Sequence, residues 1–283
     1  NILERFDMGA ADQRDFLHRY LEASRIAFAD RGRWVGDPAH EDVPTAGLLS
    51  QEFADARGCL IQDDKALTSP VAPGDPRDPE GCERGDEAAP LTHEGLSTTH
   101  LTVADRWGNV VAYTLTIEQT GGSGIVVPGR GFLLNNELTD FSFTPSPTDP
   151  NVPAGGKRPR SSMAPTIVLR SGAPVLAVGT PGGATIITTV LQILLNRLDL
   201  GMTLPEAIAA PRASQRNATT TQAEPLFLST YGTALRAKGH VFASTSELGN
   251  ATGLEFLGNG LIQAAAEPTR RGGGSALVLH PSG

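Results

Sequence analysis

Several kinds of residue that would classify this 283-residue chain at once are scarce or missing. Two cysteines exclude a disulfide scaffold and a Cys-rich zinc site. Cys59 and Cys82 either join in one disulfide, in an oxidising compartment, or stand as two thiols. Basic charge is short, with 23 Lys and Arg against 31 Asp and Glu and a net charge of −8. That argues against nucleic acid as a partner, which favours a basic stripe. Apolar runs such as Ile186–Ile187 and Leu194–Leu195 are broken by Thr, Gln and Asn, far short of the ~18 residues of a membrane span. No GxSxG elbow is present. The chain also lacks a Walker A loop and a dinucleotide GxGxxG spacing. His and acidic residues lack metal-ligand spacing, so neither metal nor cofactor is expected. The chain opens at Asn1 with no Met and no signal peptide, and reads as a fragment, a processed product or a trimmed chain.

What is present is turn-rich, with 32 Gly and 21 Pro. Phe16, Leu17, Tyr20, Leu21, Ala27 and Phe28 recur at helical spacing, capped by Asp12 and closed near Gly32. A second helix runs from its cap Ser50 to about Leu60. Residues Ala66–Ser97 hold prolines, scattered charge and almost no periodicity, and read as a solvated linker or a mobile tail. Strands follow at Thr99–Asp105 and Val110–Ile117, with a turn at Trp107-Gly108-Asn109. A further hairpin joins Thr166–Arg170 to Pro174–Gly179 through Ser171-Gly172. Helices are expected at Ala184–Leu198, Leu204–Ala210 and Leu228–Lys238, the last stopped by Gly239. The tail reads as strands Thr252–Leu257, Leu261–Glu267 and Ser275–His280, the first two joined by Asn259-Gly260. Strand pairs interleaved with helices point to sheets covered by helices.

Four stretches can carry chemistry. Ser97-Thr98-Thr99-His100 sits where linker meets strand. A Thr hydroxyl needs an adjacent base. A free α-amine, with a reference pKa of ~7.7–8.0, supplies one if the preceding peptide bond is cut. On its own the tetrapeptide also reads as ordinary β-forming sequence. Gly179-Thr180-Pro181-Gly182-Gly183 before a helix exposes N–H groups suited to a phosphate or an oxyanion, or is a plain strand-to-helix turn. Lys157-Arg158-Pro159-Arg160-Ser161-Ser162-Met163-Ala164-Pro165 can bind a carboxylate or is a solvated basic loop. Leu133-Leu134-Asn135-Asn136-Glu137-Leu138-Thr139-Asp140-Phe141, with acidic and amide groups after an apolar strand, can hold an ammonium or is a polar turn.

Their order and wording resemble one family. The stretches TTHLTVADRWGNVVAYTLTIEQ, GRGFLLNNELTDFS, KRPRSSMAPTIVL and GTPGGATIITTVLQILLN, with EAIAAPR and EASRIAFADRGRWVGDP, are similar to the γ-glutamyltransferases. The resemblance runs from about Ile2 to His280 and fades only over Ala66–Leu96. It implies an α+β fold, the four-layer αββα sandwich of N-terminal-nucleophile hydrolases. It also implies a precursor that cuts itself between Ser97 and Thr98. Residues 1–97 would then end the large subunit, with 66–97 a flexible acidic linker, and 98–283 would be the small catalytic subunit. Thr98 is the implied nucleophile and Thr116 its hydrogen-bonding partner. Gly182 and Gly183 form the oxyanion hole. Ser161 and Ser162 hold the donor's α-carboxylate, while Glu137 and Asp140 hold its α-ammonium.

The implied reaction is attack on a γ-glutamyl amide and transfer of the acyl group to water or to an amino-acid or peptide acceptor. The family's location would be periplasmic or secreted. Glu118 stands where the family commonly has an amino-group-binding Asn, which adds a carboxylate beside Glu137 and Asp140. The TIEQ form also resembles the branch that includes capsule poly-γ-glutamate depolymerases. Other readings are such a depolymerase or a cephalosporin-type acylase on the same fold, or a fragment that neither processes nor catalyses. Thr144–Gly156 reads as a lid or as a surface loop. Of the charged residues, 10 of 23 basic and 20 of 31 acidic precede Thr98, so the acidity belongs to the first segment.

Overall fold

The computed structural model describes residues 1–79, 81–82, 98–145, 147–258 and 260–279. In chain order the elements are α1 (Gln13–Trp34), α2 (Thr45–Leu48), α3 (Gln51–Gly58), β1 (Thr99–Ala104), β2 (Val110–Leu115), β3 (Thr166–Arg170) and β4 (Ala173–Gly179). They continue with α4 (Thr185–Leu198), α5 (Leu204–Ala209), β5 (Ala213–Ser214), β6 (Thr221–Ala223), α6 (Pro225–Ala237), β7 (Phe242–Ser244), β8 (Thr252–Phe256) and β9 (Ile262–Ala266). The described residues form two compact units. One lies within Asn1–Glu94, Leu138–Ser161 and Ala213–Ser246, the other within Gly95–Glu137, Ser162–Arg212 and Glu247–Gly283.

The first unit is organised by α1. The Asp12 carboxylate accepts from the Arg14 and Asp15 N–H groups and so satisfies two orphan donors at the helix start. Gly32 lies near the helix end as expected, and the helix closes two residues later at Trp34. One glycine costs only about 1 kcal/mol, and Trp34 is buried at the last turn with its indole N–H donating to Gly74 C=O at 2.7 Å. Phe16, Tyr20, Leu21 and Ile26 are fully buried, and the Tyr20 hydroxyl donates to Ala213 C=O at 2.8 Å. Strands β6 and β7 pair in parallel, with α6 as the crossover. Ser50 caps α3 through Phe53 N–H.

The expected solvated linker is anchored over residues 66–79, where buried positions alternate with exposed ones. Ala66 and Val71 are buried, and the Val71 N–H and C=O are both bound by the Asn217 amide, at 2.6 and 2.8 Å. Arg57 reaches Asp30 at 3.0 Å and Ala72 C=O at 2.8 Å, and Gly74 N–H donates to Asp30 at 2.8 Å. Prolines and irregular backbone hid the segment because its hydrogen bonds go to side chains rather than to a ladder. Cys59 and Cys82 form a disulfide, which resolves the alternative left open by the sequence.

In the second unit a four-stranded antiparallel sheet has the order β3-β4-β8-β9. Helices α4 and α5 cover one face, around Leu176, Val178, Ile186, Val190, Ile193, Leu204 and Ile208. Side chains alternate along a strand, so Ala177 and Gly179 face the other way, toward the β1–β2 hairpin. That hairpin is antiparallel, with Thr99 opposite Leu115 and His100 opposite Thr114. Its outer face exposes Leu101, Val103, Val111, Tyr113 and Leu115. Ser171 and Gly172 both take positive φ in the β3–β4 turn, the conformation such a two-residue turn requires. The third tail strand is a correction. Residues 275–279 pair with no strand among the described residues, and Leu277, Val278 and Leu279 are exposed. Asn259 and His280 lie outside the described residues.

Candidate active site

Thr98 is the residue from which the chain enters β1, and the hairpin register brings Thr116 across from it. The Thr98 hydroxyl donates to the Thr116 Oγ1 at 3.2 Å. That oxygen also accepts the Glu118 N–H at 2.8 Å, closing a tight turn as β2 ends. Glu118 pays for this turn with a φ of 74°, a region that side-chain-bearing residues rarely adopt and that concentrates at functional sites. Its buried carboxylate accepts from the Asn136 amide. Asn136 in turn accepts from Gln119 N–H at 3.0 Å and donates its own N–H to Ile117 C=O at 3.1 Å. The segment after β2 is thus held in one conformation at three successive residues, Ile117, Glu118 and Gln119.

Two residues beyond Thr98, His100 is buried against β4. Its Nδ1 bonds the Thr114 hydroxyl at 2.7 Å, and its ring occupies the space where a Cβ on Gly179 would sit. Burial holds His100 down to about 4, so the ring is neutral at physiological pH. Gly179 begins the turn into α4. Gly182 and Gly183 both take positive φ, 142° and 57°. Neither N–H bonds to another described residue. Two such donors ahead of a helix suit an anion, and an oxyanion donor is typically worth about 3–4 kcal/mol in an acyl-transfer transition state.

The remaining candidates are divided between the two units. Glu137 opens a 3-10 turn, Glu137–Asp140, with its N–H on the Asn135 side chain at 3.0 Å. Asp140 is buried, and its C=O accepts the Asn151 amide at 2.6 Å. Ser162 is buried in the second unit, whereas Ser161 is exposed at the end of a first-unit segment. Ser97 lies outside the described residues. The basic stretch before the serines is not a free cation pair. Arg158 holds Asp37 at 2.7 Å and keeps that carboxyl well below its usual range, and Lys157 pairs with Glu41. Thr144–Gly156 is anchored at Asn151, which is fully buried and accepts Arg160 N–H at 2.9 Å.

Comparison with known proteins decides the family. The gamma-glutamyltranspeptidase family model matches residues 1–277. The chain belongs to the gamma-glutamyltranspeptidase family. It is 38% identical to a glutathione hydrolase proenzyme of Bacillus subtilis, over 98% of this chain and 48% of that protein. A cephalosporin acylase from Bacillus halodurans superposes with a TM-score of 0.82 at 28% identity, over 99% of this chain and 48% of the other. A gamma-glutamyltranspeptidase from Pseudomonas nitroreducens, complexed with L-DON, superposes at 0.59 and 33% identity, covering 64% of this chain and 100% of that one. The chain spans about half the length of the curated relatives it matches.

This gamma-glutamyltranspeptidase-family chain also assembles groups that no local pattern announced. Asn136 and His100 sit inside quoted motifs, but their partners are 18 and 14 residues away. His18, Glu22 and His240 converge in the first unit, all buried, across 222 residues between the two imidazoles. Gln62 C=O can only accept, so His18 Nε2 donates to it at 2.7 Å. His18 Nδ1 then accepts from His240 Nε2 at 2.8 Å. Glu22 is bound by Arg25 at 3.1 Å and by Leu67 N–H at 2.7 Å. Only His240 Nδ1 is left over, fewer donors than a three- or four-ligand metal site requires.

Proposed function

We propose that the chain is the catalytic half of a self-processing γ-glutamyl hydrolase and transferase that works through an N-terminal threonine. The observation that carries this reading is the Thr98 hydroxyl held by Thr116 at 3.2 Å, at the point where the chain enters β1. Cleavage of the Ser97–Thr98 bond frees the Thr98 α-amine, whose pKa range lets it take the hydroxyl proton. The oxygen attacks the donor's γ-carbonyl, the alkoxide forms against the Gly182 and Gly183 N–H groups, and the amine leaves with the proton. The acyl-threonine then passes to water or to an amino acceptor by the same steps in reverse. Ser161 and Ser162 bind the donor carboxylate, and Glu118, Glu137 and Asp140 its ammonium. Glu118 adds a carboxyl group that suits a cationic amino group. The layers of the second unit support a four-layer αββα arrangement in the complete protein, with residues 1–97 ending its large subunit. The Cys59–Cys82 disulfide supports a site of action outside the cytoplasm.

The likeness to the cephalosporin acylase over 99% of the chain favours a second reading, the same threonine chemistry on a β-lactam side-chain amide. Incubation followed by a denaturing gel tests the processing. Two bands, the smaller beginning at Thr98, support it, and Thr98→Ala stops the cleavage. A single stable band at full length refutes processing in this chain. Hydrolysis of a γ-glutamyl anilide against a glutaryl cephalosporin separates the two donors.

A further inference from the structure

The Gly182 and Gly183 N–H groups act on an oxyanion only if their peptide planes are held at a fixed angle. A trans peptide is planar, with C=O and N–H pointing in opposite directions. The Gly182 N–H is therefore aimed by the Pro181 carbonyl, and the Gly183 N–H by the Gly182 carbonyl. Each of these carbonyls is gripped by a threonine hydroxyl. Thr180 Oγ1 donates to Pro181 C=O at 2.8 Å, and Thr185 Oγ1 donates to Gly182 C=O at 2.8 Å. Thr185 N–H reinforces the second grip at 3.2 Å.

The first threonine is itself fixed. Its hydroxyl accepts Asn250 N–H at 2.9 Å, and the Asn250 amide donates to Arg270 C=O at 2.9 Å. Arg270 bonds Glu267 at 2.9 Å, as does Arg212. Gly249 completes the support. A Cβ there would meet Thr180 Oγ1 at 2.5 Å and Arg212 Nη1 at 3.4 Å, so only glycine lets this loop approach so closely. Thr180 is fully buried and Thr185 nearly so. Glycines at positions 182 and 183 give the turn its positive φ values but no rigidity of their own. Bonding each carbonyl also polarises its peptide toward a stronger N–H donor.

We infer that Thr180 and Thr185 are positioning residues, each aiming one of the two glycine N–H donors by hydrogen-bonding the carbonyl of the same peptide. The inference rests on the proposed acyl-transfer role of Gly182 and Gly183, which it deepens by naming what orients them.

The test uses the whole chain with Thr180→Val and Thr185→Val, which keep shape and remove the hydroxyl, and Thr180→Ser and Thr185→Ser, which restore it. The first readout is the amide resonance and hydrogen exchange of Gly182 and Gly183 by NMR. Thr180→Val shifts and speeds exchange at Gly182, Thr185→Val does so at Gly183, and each Ser variant returns to the parent value. The second is kinetics on a γ-glutamyl anilide. Loss of an oxyanion donor outright costs about 100- to 1,000-fold in kcat. Misaiming one is expected to cost about 10- to 100-fold, with KM changed less than about twofold, and serine restores the rate. Unchanged glycine amides in both Val variants overturn the inference, as do Ser variants as impaired as Val. If the parent chain turns over no donor, the functional reading fails, and the amide measurements alone decide the positioning.

Discussion

Replacing Gly179 with alanine tests the contact between hairpin and sheet directly. Gly179 has no positive φ, so its backbone accepts an L-residue, and in open space the change would stabilise a strand by about 0.5–1 kcal/mol. The space is not open. The new methyl would lie 2.2 Å from His100 Cε1 and 2.5 Å from each ring nitrogen. The ring cannot step aside, since it is buried and tied to Thr114 at 2.7 Å. Overpacking costs about 1–3 kcal/mol, and losing the His100–Thr114 bond adds about 1 kcal/mol. Gly179→Ala should therefore destabilise by about 2–3 kcal/mol in urea unfolding followed by tryptophan fluorescence. His100→Ala alone should cost a similar amount, by leaving a cavity and an unpaired Thr114 hydroxyl. In the double variant the methyl enters the vacated space, so the combined cost should fall short of the sum by about 2 kcal/mol. A single variant within about 0.5 kcal/mol of the parent, or strict additivity in the double, would refute the reasoning.

Acidification should weaken the first unit through its histidine pair. Burial depresses both, His240 to about 3, and both are neutral when folded. Unfolded, each binds a proton near pH ~6.5. Their contribution is full above that pH and is lost as pH falls below ~6.5, for His240 down toward 3 and at up to about 1.4 kcal/mol per pH unit for that ring. Glu22 and Asp30, both raised by burial, act in the opposite sense, Asp30 with a value of about 6. Unfolding at pH 7 and pH 5 in the parent and in His240→Asn isolates the pair, because the variant should lose its share of the slope. An equal slope would remove the pair as its cause. At the start of α5, Thr203 and Glu206 form a reciprocal capping box, so Thr203→Ala should cost about 1 kcal/mol in the same assay.

Helices with a cap and an apolar stripe are legible in the sequence. Asp12, Ser50 and the Ser171-Gly172 turn act as their chemistry predicts. The residues of the Thr98 hairpin were legible too, because strand alternation and a turn fix which side chains meet. What could not be read is whatever depends on partners far along the chain. Residues 66–79 have no period of their own, and their order comes from Asn217, Asp30 and Arg57. Thr180 looks like any turn threonine until Asn250 arrives at its hydroxyl. The tail at 275–279 erred in the other direction, since a short apolar run, Ala276 to Leu279, does not make a strand unless an edge is there to join, and it pairs with none among the described residues.

The hairpin register also limits how this chain can change length. Thr99 to Ala104 pair residue for residue with Leu115 to Val110. Adding one residue within β1 alone, between Thr98 and His100, would turn Thr98 to the opposite side of the ribbon or drive His100 out of its seat beside Gly179. Adding one to the 105–109 turn leaves both pairs intact. Length variation among homologous sequences should therefore collect at that turn and be absent between Thr98 and His100. The count of residues between these two positions is itself part of the chemistry.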